Sequence, residues 1–451
     1  MKIAVAGTGY VGLVTGVTLA HIGHDVTCVD VDENKIKLMN SGVCPIYEEG
    51  LEDLMNINKN RLTYTTDYKK AYSQADVIFI GVGTPERKDG SANLDYVYGV
   101  CEQIASSVEK DCVVVVKSTV PIGTNDKVEQ YLKSNIKNNV NITVASNPEF
   151  LAQGTAVRDT LYASRIVIGV ENDFAKKTLT KMYEPLTKEP YNVPLLVTNR
   201  RSAEMIKYAS NDFLALKISY INEIANLCEK LGANIEDVSK GMGFDSRIGN
   251  KFLNAGIGYG GSCFPKDTKA LHWLSVASGV ELKTVKACIE VNKNQKIRLY
   301  QKLIEDYTNL RNMAVAVLGL TFKPGTDDLR EAPSIDNIEL LLDAGVNVKA
   351  YDPISTESFK KRISYKLEND NITGTISYFT NIDEALKEAD AALIMTEWPE
   401  IKNYNLDNYS NLMNNPVIYD GRNCYSLEEV QKHKGKIRYL SIGRGEVNKL
   451  D

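Results

Sequence analysis

The sequence predicts an α/β protein with two doubly wound, Rossmann-like domains joined by a long central helix. Short apolar runs alternate with helix-like segments up to about residue 200, one long amphipathic stretch follows, and apolar runs return after residue 310. Alternation of this kind is typical of a parallel sheet covered by helices on both faces. A chain of 451 residues also exceeds what one hydrophobic core supports. We therefore expect three regions, 1–200, 201–300 and 301–451.

The apolar runs locate the predicted strands of the two sheets. In the first half they are 3–6, 26–30, 77–82, 112–117, 142–146 and 166–169, and in the second half 314–318, 346–351, 391–395 and 417–419. Between the halves, apolar residues at helical spacing predict one helix over 202–231, with Gly232 at its end. A further helical stretch is predicted over about 268–309.

The composition and the positions of the cysteines argue against several classes of partner and site. The formal net charge of -5 argues against nucleic acid or an anionic membrane surface as a partner. The eight cysteines form no C-x-x-C pair and the four histidines do not cluster, so neither a disulfide framework nor a metal site is expected. The chain opens directly on a predicted strand without a charged leader, and we expect a cytoplasmic protein.

A glycine-rich turn follows the first predicted strand. Gly7, Gly9 and Gly12 form a G-x-G-x-x-G pattern, with Tyr10 and Val11 opening the predicted helix. Asp30 ends the next strand, where an acid can accept hydrogen bonds from the ribose hydroxyls of NAD and repel the 2′-phosphate of NADP. The pattern therefore predicts an NAD site. Lys35 could touch the same ribose edge or be a solvated helix residue.

Polar residues follow three further strands of the first half. Thr84, Thr119 and Glu149 each come just after an apolar run, and ligands of doubly wound folds lie at the carboxyl ends of the strands. These residues are expected to face the cofactor region. Ordinary turn chemistry is the alternative for the threonines, and a solvated loop position is the alternative for Glu149.

The segment from Gly258 to Asp267 contains Cys263 among several glycines. Pro265 favours a helix start, so Cys263 is predicted at a helix N-terminus. The dipole there and the nearby charge of Lys266 favour a thiolate, and Asp267 shares the face of Cys263. We therefore predict a nucleophilic cysteine, the alternative being an inert core cysteine.

Other cationic and amide side chains complete the candidate chemistry. Lys207 and Asn211 lie one helical turn apart in the predicted long helix and could donate to an oxyanion, although a lysine on a helix often faces solvent. In the second half, Lys323 and Arg330 follow a predicted strand and are natural phosphate ligands. Two strand ends suited to phosphate indicate two nucleotide-like ligands.

In their order along the chain, these motifs resemble those of the UDP-glucose 6-dehydrogenase family, within the UDP-glucose/GDP-mannose dehydrogenases. The resemblance runs over nearly the whole chain and rests on residues 7–12, 117–121, 147–151, 207–211, 247–250, 260–267 and 322–323. One position departs from the pattern, because Gln153 stands where the family commonly has a glutamate. A carboxylate role at that position is therefore in doubt, while a hydrogen-bonding role survives.

The resemblance implies NAD on the N-terminal domain, a UDP-sugar on the C-terminal domain, and roles for individual residues. The catalytic residues implied are Cys263 as the nucleophile, Lys207 and Asn211 as oxyanion and sugar contacts, and Thr119, Glu149 and Asp267 as the water and proton network. The cofactor side is completed by Lys35, Thr84, Thr119, Gln153, Lys266 and Arg330. The implied substrate contacts are Glu149, Phe150, Leu151, Lys207, Asn211, Arg247, Asn254, Gly258, Tyr259, Gly260, Phe322, Lys323 and Arg422.

The implied reaction is the four-electron oxidation of UDP-glucose to UDP-glucuronate with two NAD, through a cysteine thiohemiacetal and thioester. Arg247 resembles an arginine that reaches into a neighbouring subunit's site, which implies at least a homodimer through the long helix. Three alternatives stay open at this point. They are a UDP-N-acetylhexosamine dehydrogenase with the same chemistry, a two-electron hydroxyacid dehydrogenase, and a non-catalytic NAD-binding redox sensor.

Overall fold

The structure is a computed structural model that describes residues 1–369 and 372–447. It divides into two compact units, which are Met1–Ser210 with Lys269–Val280, and Asn211–Thr268 with Glu281–Asp451. Residues 370–371 and 448–451, which the predicted C-terminal region includes, lie outside the described residues. No helix within the described ranges is long and apolar enough to span a membrane.

The first unit contains a mixed sheet with helices in the connections. Its strands are β1 (Lys2–Ala6), β2 (Asp25–Val29), β3 (Leu62–Thr65), β4 (Val77–Ile80), β5 (Cys112–Val116), β6 (Ile142–Ser146), β7 (Ile166–Gly169) and β8 (Leu195–Thr198). Its helices are α1 (Tyr10–His21), α2 (Glu33–Asn40), α3 (Leu51–Ile57), α4 (Tyr68–Ser73), α5 (Asp95–Ser107), α6 (Thr124–Asn135), α7 (Ala156–Leu161) and α8 (Asp173–Thr187).

The strand order of this sheet is β3-β2-β1-β4-β5-β6-β7-β8. The first six strands are parallel in the order of a Rossmann fold. The prediction of a wholly parallel sheet is wrong at one place, because β7 pairs with β6 in the antiparallel direction and carries β8 with it. A strand buried on both faces has the same apolar run in either direction, so the sequence pattern does not encode this reversal.

Two long helices run from one unit into the other. Helix α9 (Arg200–Leu231) crosses the division after Ser210, and α11 (Phe264–Ala277) crosses it after Thr268. The predicted helix 202–231 thus agrees with α9. The cysteine segment precedes α11, so Pro265 occupies the second position of that helix.

The second unit holds a parallel sheet with the strand order β11-β10-β9-β12-β13-β14. Its strands are β9 (Ala314–Leu318), β10 (Asn347–Tyr351), β11 (Thr375–Phe379), β12 (Ala391–Ile394), β13 (Val417–Asp420) and β14 (Arg438–Leu440). Its other helices are α10 (Ile235–Gly243), α12 (Lys283–Lys296), α13 (Arg298–Asp306), α14 (Pro333–Asp343), α15 (Thr356–Asn369), α16 (Ile382–Leu386), α17 (Pro399–Lys402), α18 (Leu406–Leu412) and α19 (Leu427–Gln431).

Each sheet is buried on both faces. In β1, Ile3 and Val5 belong to one apolar cluster, whereas Ala4 and Ala6 belong to another. The strand β9 divides its side chains between two clusters in the same way. Because successive strand residues point to opposite faces, this alternation places a core on each side of both sheets. The predicted fold class, two doubly wound domains linked by a long helix, is confirmed.

Candidate active site

The glycine-rich turn connects β1 to α1, and each of its three glycines has a different structural role. Gly7 has a φ of 93°, which favours glycine. A Cβ atom on Gly12 would lie 2.0 Å from the Gly7 carbonyl oxygen, whereas one on Gly9 would meet nothing within 4 Å. Gly7 therefore makes the turn and Gly12 the close packing. The open space beside Gly9 is where a pyrophosphate can approach the backbone.

Asp30 lies at the end of β2 and is tied to the same turn. One carboxylate oxygen accepts hydrogen bonds from the Thr8 amide at 2.8 Å and the Thr8 hydroxyl at 2.5 Å, and the other accepts from the Asp32 amide at 3.0 Å. Burial alone would raise the pKa of Asp30, but these hydrogen bonds and the charge of Lys35 outweigh burial and lower it. The residues present thus fit an NAD ribose, with an ionised acid beside the glycines.

Four other residues that were predicted on the cofactor side are Thr84, Thr119, Tyr10 and Gln153. The Thr84 hydroxyl donates to the Thr119 carbonyl oxygen at 2.9 Å, so the turns after β4 and β5 lie side by side. The Tyr10 hydroxyl donates to the Tyr47 carbonyl oxygen at 2.9 Å, and Gln153 is 9% exposed. The two threonines are therefore neighbours, as the strand ends predicted.

A buried ion pair joins the loop after β6 to helix α9. Lys207 Nζ lies 2.9 Å from Glu149 Oε1, and the two side chains are 4% and 5% exposed. The other oxygen of Glu149 accepts the Leu151 amide at 2.6 Å, and Lys207 Nζ lies 5.6 Å from the centre of the Phe150 ring. The alternatives of a solvated Glu149 and a solvent-facing Lys207 are therefore excluded.

A second buried lysine, Lys117, begins the 117–121 motif and has no role assigned from the sequence. Lys117 Nζ donates to Asn147 Oδ1 at 3.0 Å, and the Tyr183 hydroxyl donates to the same oxygen at 2.5 Å. Burial lowers the pKa of Lys117 to about 8, with the charge of Glu149 opposing this and that of Lys207 adding to it. Of the two buried lysines, Lys207 is thus paired with Glu149, whereas Lys117 is hydrogen-bonded to Asn147. No local sequence signal identifies this arrangement.

Cys263 immediately precedes α11 and is partly exposed. Its carbonyl oxygen accepts the Asp267 amide at 2.8 Å in the first turn of the helix, and its sulfur lies 3.7 Å from the Ser262 hydroxyl oxygen. The position at the helix start agrees with the prediction. A sulfur at this place is accessible and sits where a helix favours negative charge.

Asp267, in the second unit, is a buried acid that two neighbouring side chains hold in place. It is 1% exposed, accepts the Asn211 side-chain amide at 2.6 Å and lies 2.5 Å from Lys266 Nζ. The charge of Lys266 is therefore directed at Asp267. Asn211 and Asp267 come together although 56 residues separate them in the chain.

The loop before Cys263 is held from both sides within the second unit. Asn292 accepts the Tyr259 amide at 2.8 Å and donates to the Tyr259 carbonyl at 3.0 Å. Arg422 donates to the Gly258 and Phe322 carbonyl oxygens, at 3.2 Å in each case. A Cβ on Gly260 would lie 2.4 Å from the Glu331 carbonyl oxygen. The backbone of this loop is therefore fixed, while Asn254 at its start is exposed.

The remaining predicted cations lie at the surface or in local pairs. Arg330 donates two hydrogen bonds to the Asp328 carboxylate, from Nε at 2.8 Å and from Nη2 at 2.7 Å. Its side chain is 60% exposed. Arg247 pairs with Asp245 at 2.6 Å with its side chain 87% exposed. Lys323 Nζ lies 5.6 Å from the centre of the Phe322 ring.

The fold and the glycine turn with its acid define the class of the protein, one that binds a dinucleotide on its first domain. Family models agree over three segments of the chain. The NAD binding domain of the UDP-glucose/GDP-mannose dehydrogenase family matches residues 1–187, the central domain 201–294, and the UDP binding domain 316–427. The chain therefore belongs to the UDP-glucose/GDP-mannose dehydrogenase family. The predictions of a dehydrogenase and of NAD as its cofactor are confirmed.

Individual proteins of this family are similar to the chain over nearly its whole length. The chain is 48% identical over 451 residues to a UDP-glucose 6-dehydrogenase of Bacillus subtilis, covering 99% of this chain and 98% of the relative. A solved UDP-glucose dehydrogenase of Pyrobaculum islandicum has a TM-score of 0.87 and 36% identity, with 95% of each chain covered. A UDP-D-ManNAc dehydrogenase of Pyrococcus horikoshii has a TM-score of 0.85 at 26% identity, with 98% of this chain and 99% of that chain covered.

Proposed function

We propose that the protein oxidises UDP-glucose to UDP-glucuronate and reduces two NAD per product. The observation that carries the proposal is the arrangement at the start of α11, where an accessible Cys263 precedes the helix and Asp267 is anchored by Asn211 and Lys266. A two-electron dehydrogenase has no use for a cysteine at this place. Relatives similar over nearly the whole chain carry the name UDP-glucose 6-dehydrogenase.

The proposed division of labour follows the three regions 1–200, 201–300 and 301–451. Gly7, Gly9, Gly12 and Asp30 hold the cofactor on the first region, with Tyr10 and Val11 supplying backbone at the helix start. NAD, when bound, accepts the hydrides that leave the sugar carbon, and one molecule takes up only two of the four electrons. We assign Lys35, Thr84, Thr119, Gln153, Lys266 and Arg330 to the cofactor side.

The UDP-sugar is assigned to the residues of the second unit that hold or flank the fixed loop. We assign the loop 254–260, whose backbone is locked by Asn292 and Arg422, to the position over the nucleotide. Lys323, beside Phe322, supplies a positive charge suited to a diphosphate. Phe150 and Leu151 are assigned to the sugar, as the motif they belong to implies.

The chemistry begins with loss of a proton from the 6-hydroxyl. Lys207 and Asp267 are the groups assigned to take or relay this proton, with a water at Thr119 as an intermediate carrier. Loss of a hydride from the same carbon leaves an aldehyde. The Lys207 ammonium and the Asn211 amide are donors that can stabilise negative charge on its oxygen.

Cys263 carries the second half of the reaction. Its sulfur adds to the aldehyde carbon, and the carbonyl oxygen gains a proton, giving a thiohemiacetal. Loss of that proton and of a second hydride leaves a thioester. Water, positioned by Asp267 or Glu149, then attacks the thioester carbon, the carbon–sulfur bond breaks, and the carboxylate and the thiolate are released.

We further propose a homodimer or higher oligomer in which Arg247 reaches a neighbouring subunit. Helix α9 presents large apolar side chains to solvent, with Phe213 62%, Leu227 53% and Leu231 73% exposed. Such residues support an interface, and Arg247 is exposed enough to extend from its own subunit. Light scattering of the purified protein tests this. The eight cysteines, none of which is in a disulfide, fit a reducing, cytoplasmic setting.

The test is the number of NADH formed per UDP-glucose consumed, with UDP-N-acetylglucosamine and UDP-N-acetylmannosamine in parallel. Two NADH from UDP-glucose alone are expected. One NADH would mean release of the aldehyde and would overturn the thioester route. Two NADH from an N-acetylated sugar would favour the second candidate, a UDP-N-acetylhexosamine dehydrogenase, which the likeness to the Pyrococcus horikoshii structure keeps in view.

A further inference from the structure

The turn after β9 in the second unit repeats the backbone arrangement of the cofactor turn in the first. Gly319 has a φ of 88°, close to the 93° of Gly7, and each glycine amide donates to the last residue of the neighbouring strand at 2.8 Å. Asp352 follows β10 as Asp30 follows β2. The residue after the glycine donates its amide to this acid, at 2.7 Å in the second unit and 2.8 Å in the first. An acid at a strand end therefore holds each turn.

The two acids differ in what their carboxylates contact. Asp30 is partly exposed, as an acceptor for a ribose must be, whereas Asp352 is 4% exposed and is covered by N–H donors of its own unit. These donors are the amides of Leu320, Thr321, Ile354 and Ser355, at 2.7, 3.3, 3.1 and 2.8 Å, and the indole of Trp398, at 3.1 Å. A carboxylate offers about four lone-pair sites. The acceptor capacity of Asp352 is therefore directed at the protein itself.

The turn 319–323 ends in Phe322 and Lys323, and its preceding residues are buried. Leu320 is 0% and Thr321 1% exposed, and Asp352 is the acceptor for both of their amides. Their carbonyl oxygens accept side-chain hydroxyls, those of Ser334 and Thr396. The Thr321 hydroxyl in turn donates to the Lys323 carbonyl oxygen at 3.0 Å. The backbone that leads to Lys323 is therefore held through its amides, its carbonyls and a hydroxyl.

Loss of the Asp352 carboxylate would leave two backbone amides of this turn and the Trp398 indole without that acceptor. A buried N–H group without a partner is costly. The turn would then move until water or another group satisfies the amides. Any such movement is passed along the backbone to Lys323.

We propose that Asp352 is a positioning residue for the UDP-sugar, which holds the turn 319–323 in its binding conformation before the nucleotide arrives. The inference rests on the proposed function, which assigns Phe322 and Lys323 to the substrate. A segment that is ordered in advance does not lose conformational freedom on binding, and this increases affinity. Asp352 therefore acts on the nucleotide through the turn and not as its ligand. Trp398, which is 5% exposed, helps to fix the carboxylate in place.

The first test is calorimetric titration of the wild type and of variants with UDP and, separately, with NAD. Asp352→Ala is expected to raise the Kd for UDP by about tenfold or more and to leave the Kd for NAD unchanged. Asp352→Asn keeps one oxygen for the amides and is expected to bind UDP more tightly than Asp352→Ala. Wild-type affinity of Asp352→Ala for UDP, or an equal loss of affinity for NAD, would overturn the proposal.

The matched control is Glu229→Gln. The Glu229 side chain is 9% exposed and accepts the Gly443 amide at 2.9 Å, so it is an acid of the same unit that holds a different backbone segment. This variant is expected to keep the wild-type Kd for UDP. A loss of UDP affinity equal to that of Asp352→Ala would show a general effect of removing an acid and would overturn the positioning role.

A second measurement does not depend on the folding of a variant. Hydrogen exchange of the wild type, followed by mass spectrometry, is expected to show the amides of Leu320 and Thr321 protected before UDP is added. Fast exchange in the free protein that slows only with UDP would overturn the proposal. Failure of the wild type to bind UDP would instead overturn the assignment of the substrate to this unit, while the exchange still decides whether the turn is held in advance.

Discussion

Replacing Asp212 by asparagine is expected to stabilise the protein, by an amount that grows with pH. Asp212, on α9, is 6% exposed, and neither of its carboxyl oxygens has a hydrogen-bond partner among the described residues. The folded protein holds the Asp212 proton up to a pKa of about 8, whereas the unfolded chain releases it near the ordinary aspartate pKa of 3.8. Between these values the folded state binds more protons than the unfolded state, so its stability falls as the pH rises. Asparagine has the same shape and no proton to lose, so the variant escapes this loss.

The magnitude follows from the width of that window. Each pH unit within it costs about 1.4 kcal/mol of the free energy of unfolding. At pH 7 the wild type has therefore lost about 4 kcal/mol relative to its stability below pH 3.8, a large part of the stability of an ordinary domain. The advantage of Asp212→Asn is expected to widen by about 1.4 kcal/mol per pH unit from pH 5 and to level off near pH 8.

The assay is a series of urea titrations between pH 5 and pH 9 that reports on the unit containing Asp212. Trp398 lies in the second unit and Trp273 in the first, so a Trp273→Phe background leaves Trp398 fluorescence as the reporter. Glu204→Gln serves as the control for loss of a buried acid that has partners, the Gly123 and Asn125 amides. A stability difference between Asp212→Asn and the wild type that does not change with pH would refute the reasoning.

The other predictions concern the cofactor turn and the chemistry. Cys263→Ser is expected to form the first NADH but to lose multiple turnover, because an ester is hydrolysed less readily than a thioester, and full turnover would refute covalent catalysis. Lys207→Ala is expected to lower turnover roughly a hundredfold or more, since removal of one oxyanion donor costs about 2.7–4 kcal/mol, and near-normal turnover would remove Lys207 from the mechanism. Gly12→Ala is expected to lower the melting temperature, because its Cβ would lie 2.0 Å from the Gly7 carbonyl oxygen. Its matched control, Gly9→Ala, has open space and is expected to keep the melting temperature while weakening NAD binding, and equal melting temperatures for the two variants would contradict the packing argument.

The strands that the sequence pattern failed to predict share one property. They are β3, β8, β11 and β14, and each lies at an edge of its sheet. A central strand of a parallel sheet is buried on both faces and reads as a continuous apolar run, as β4 and β5 do. An edge strand is partly exposed, and it often carries polar residues, as Thr375 and Ser377 show in β11, although β8 is apolar up to its last residue, Thr198. The pattern therefore located the middle of each sheet and missed its margins.

The residues of the candidate site also divide into those that local sequence patterns predicted and those that they did not. The glycine turn, Asp30 and the cysteine loop were predictable because their chemistry depends on spacing within a short segment. The pairing of Lys207 with Glu149 joins residues 58 positions apart, and only the strand and helix order brings them together. A lysine or glutamate in isolation is usually solvated, so local reasoning could not decide between the two alternatives.

Lys117 and Asp212 mark the limit of what local sequence reasoning can find. Their residue types are visible in the sequence, but their charge states depend on burial and on neighbours from distant segments. Burial works in opposite directions on the two, since it disfavours the charged form of each and so lowers the pKa of Lys117 and raises that of Asp212, to about 8 in both cases. Lys117 keeps a hydrogen-bond acceptor in Asn147, whereas the charge of Asp267 adds to burial in raising the pKa of Asp212. In related chains, the position to examine is therefore an acid on the apolar stripe of a helix, one residue after an assigned oxyanion donor. Such an acid can keep its proton at neutral pH.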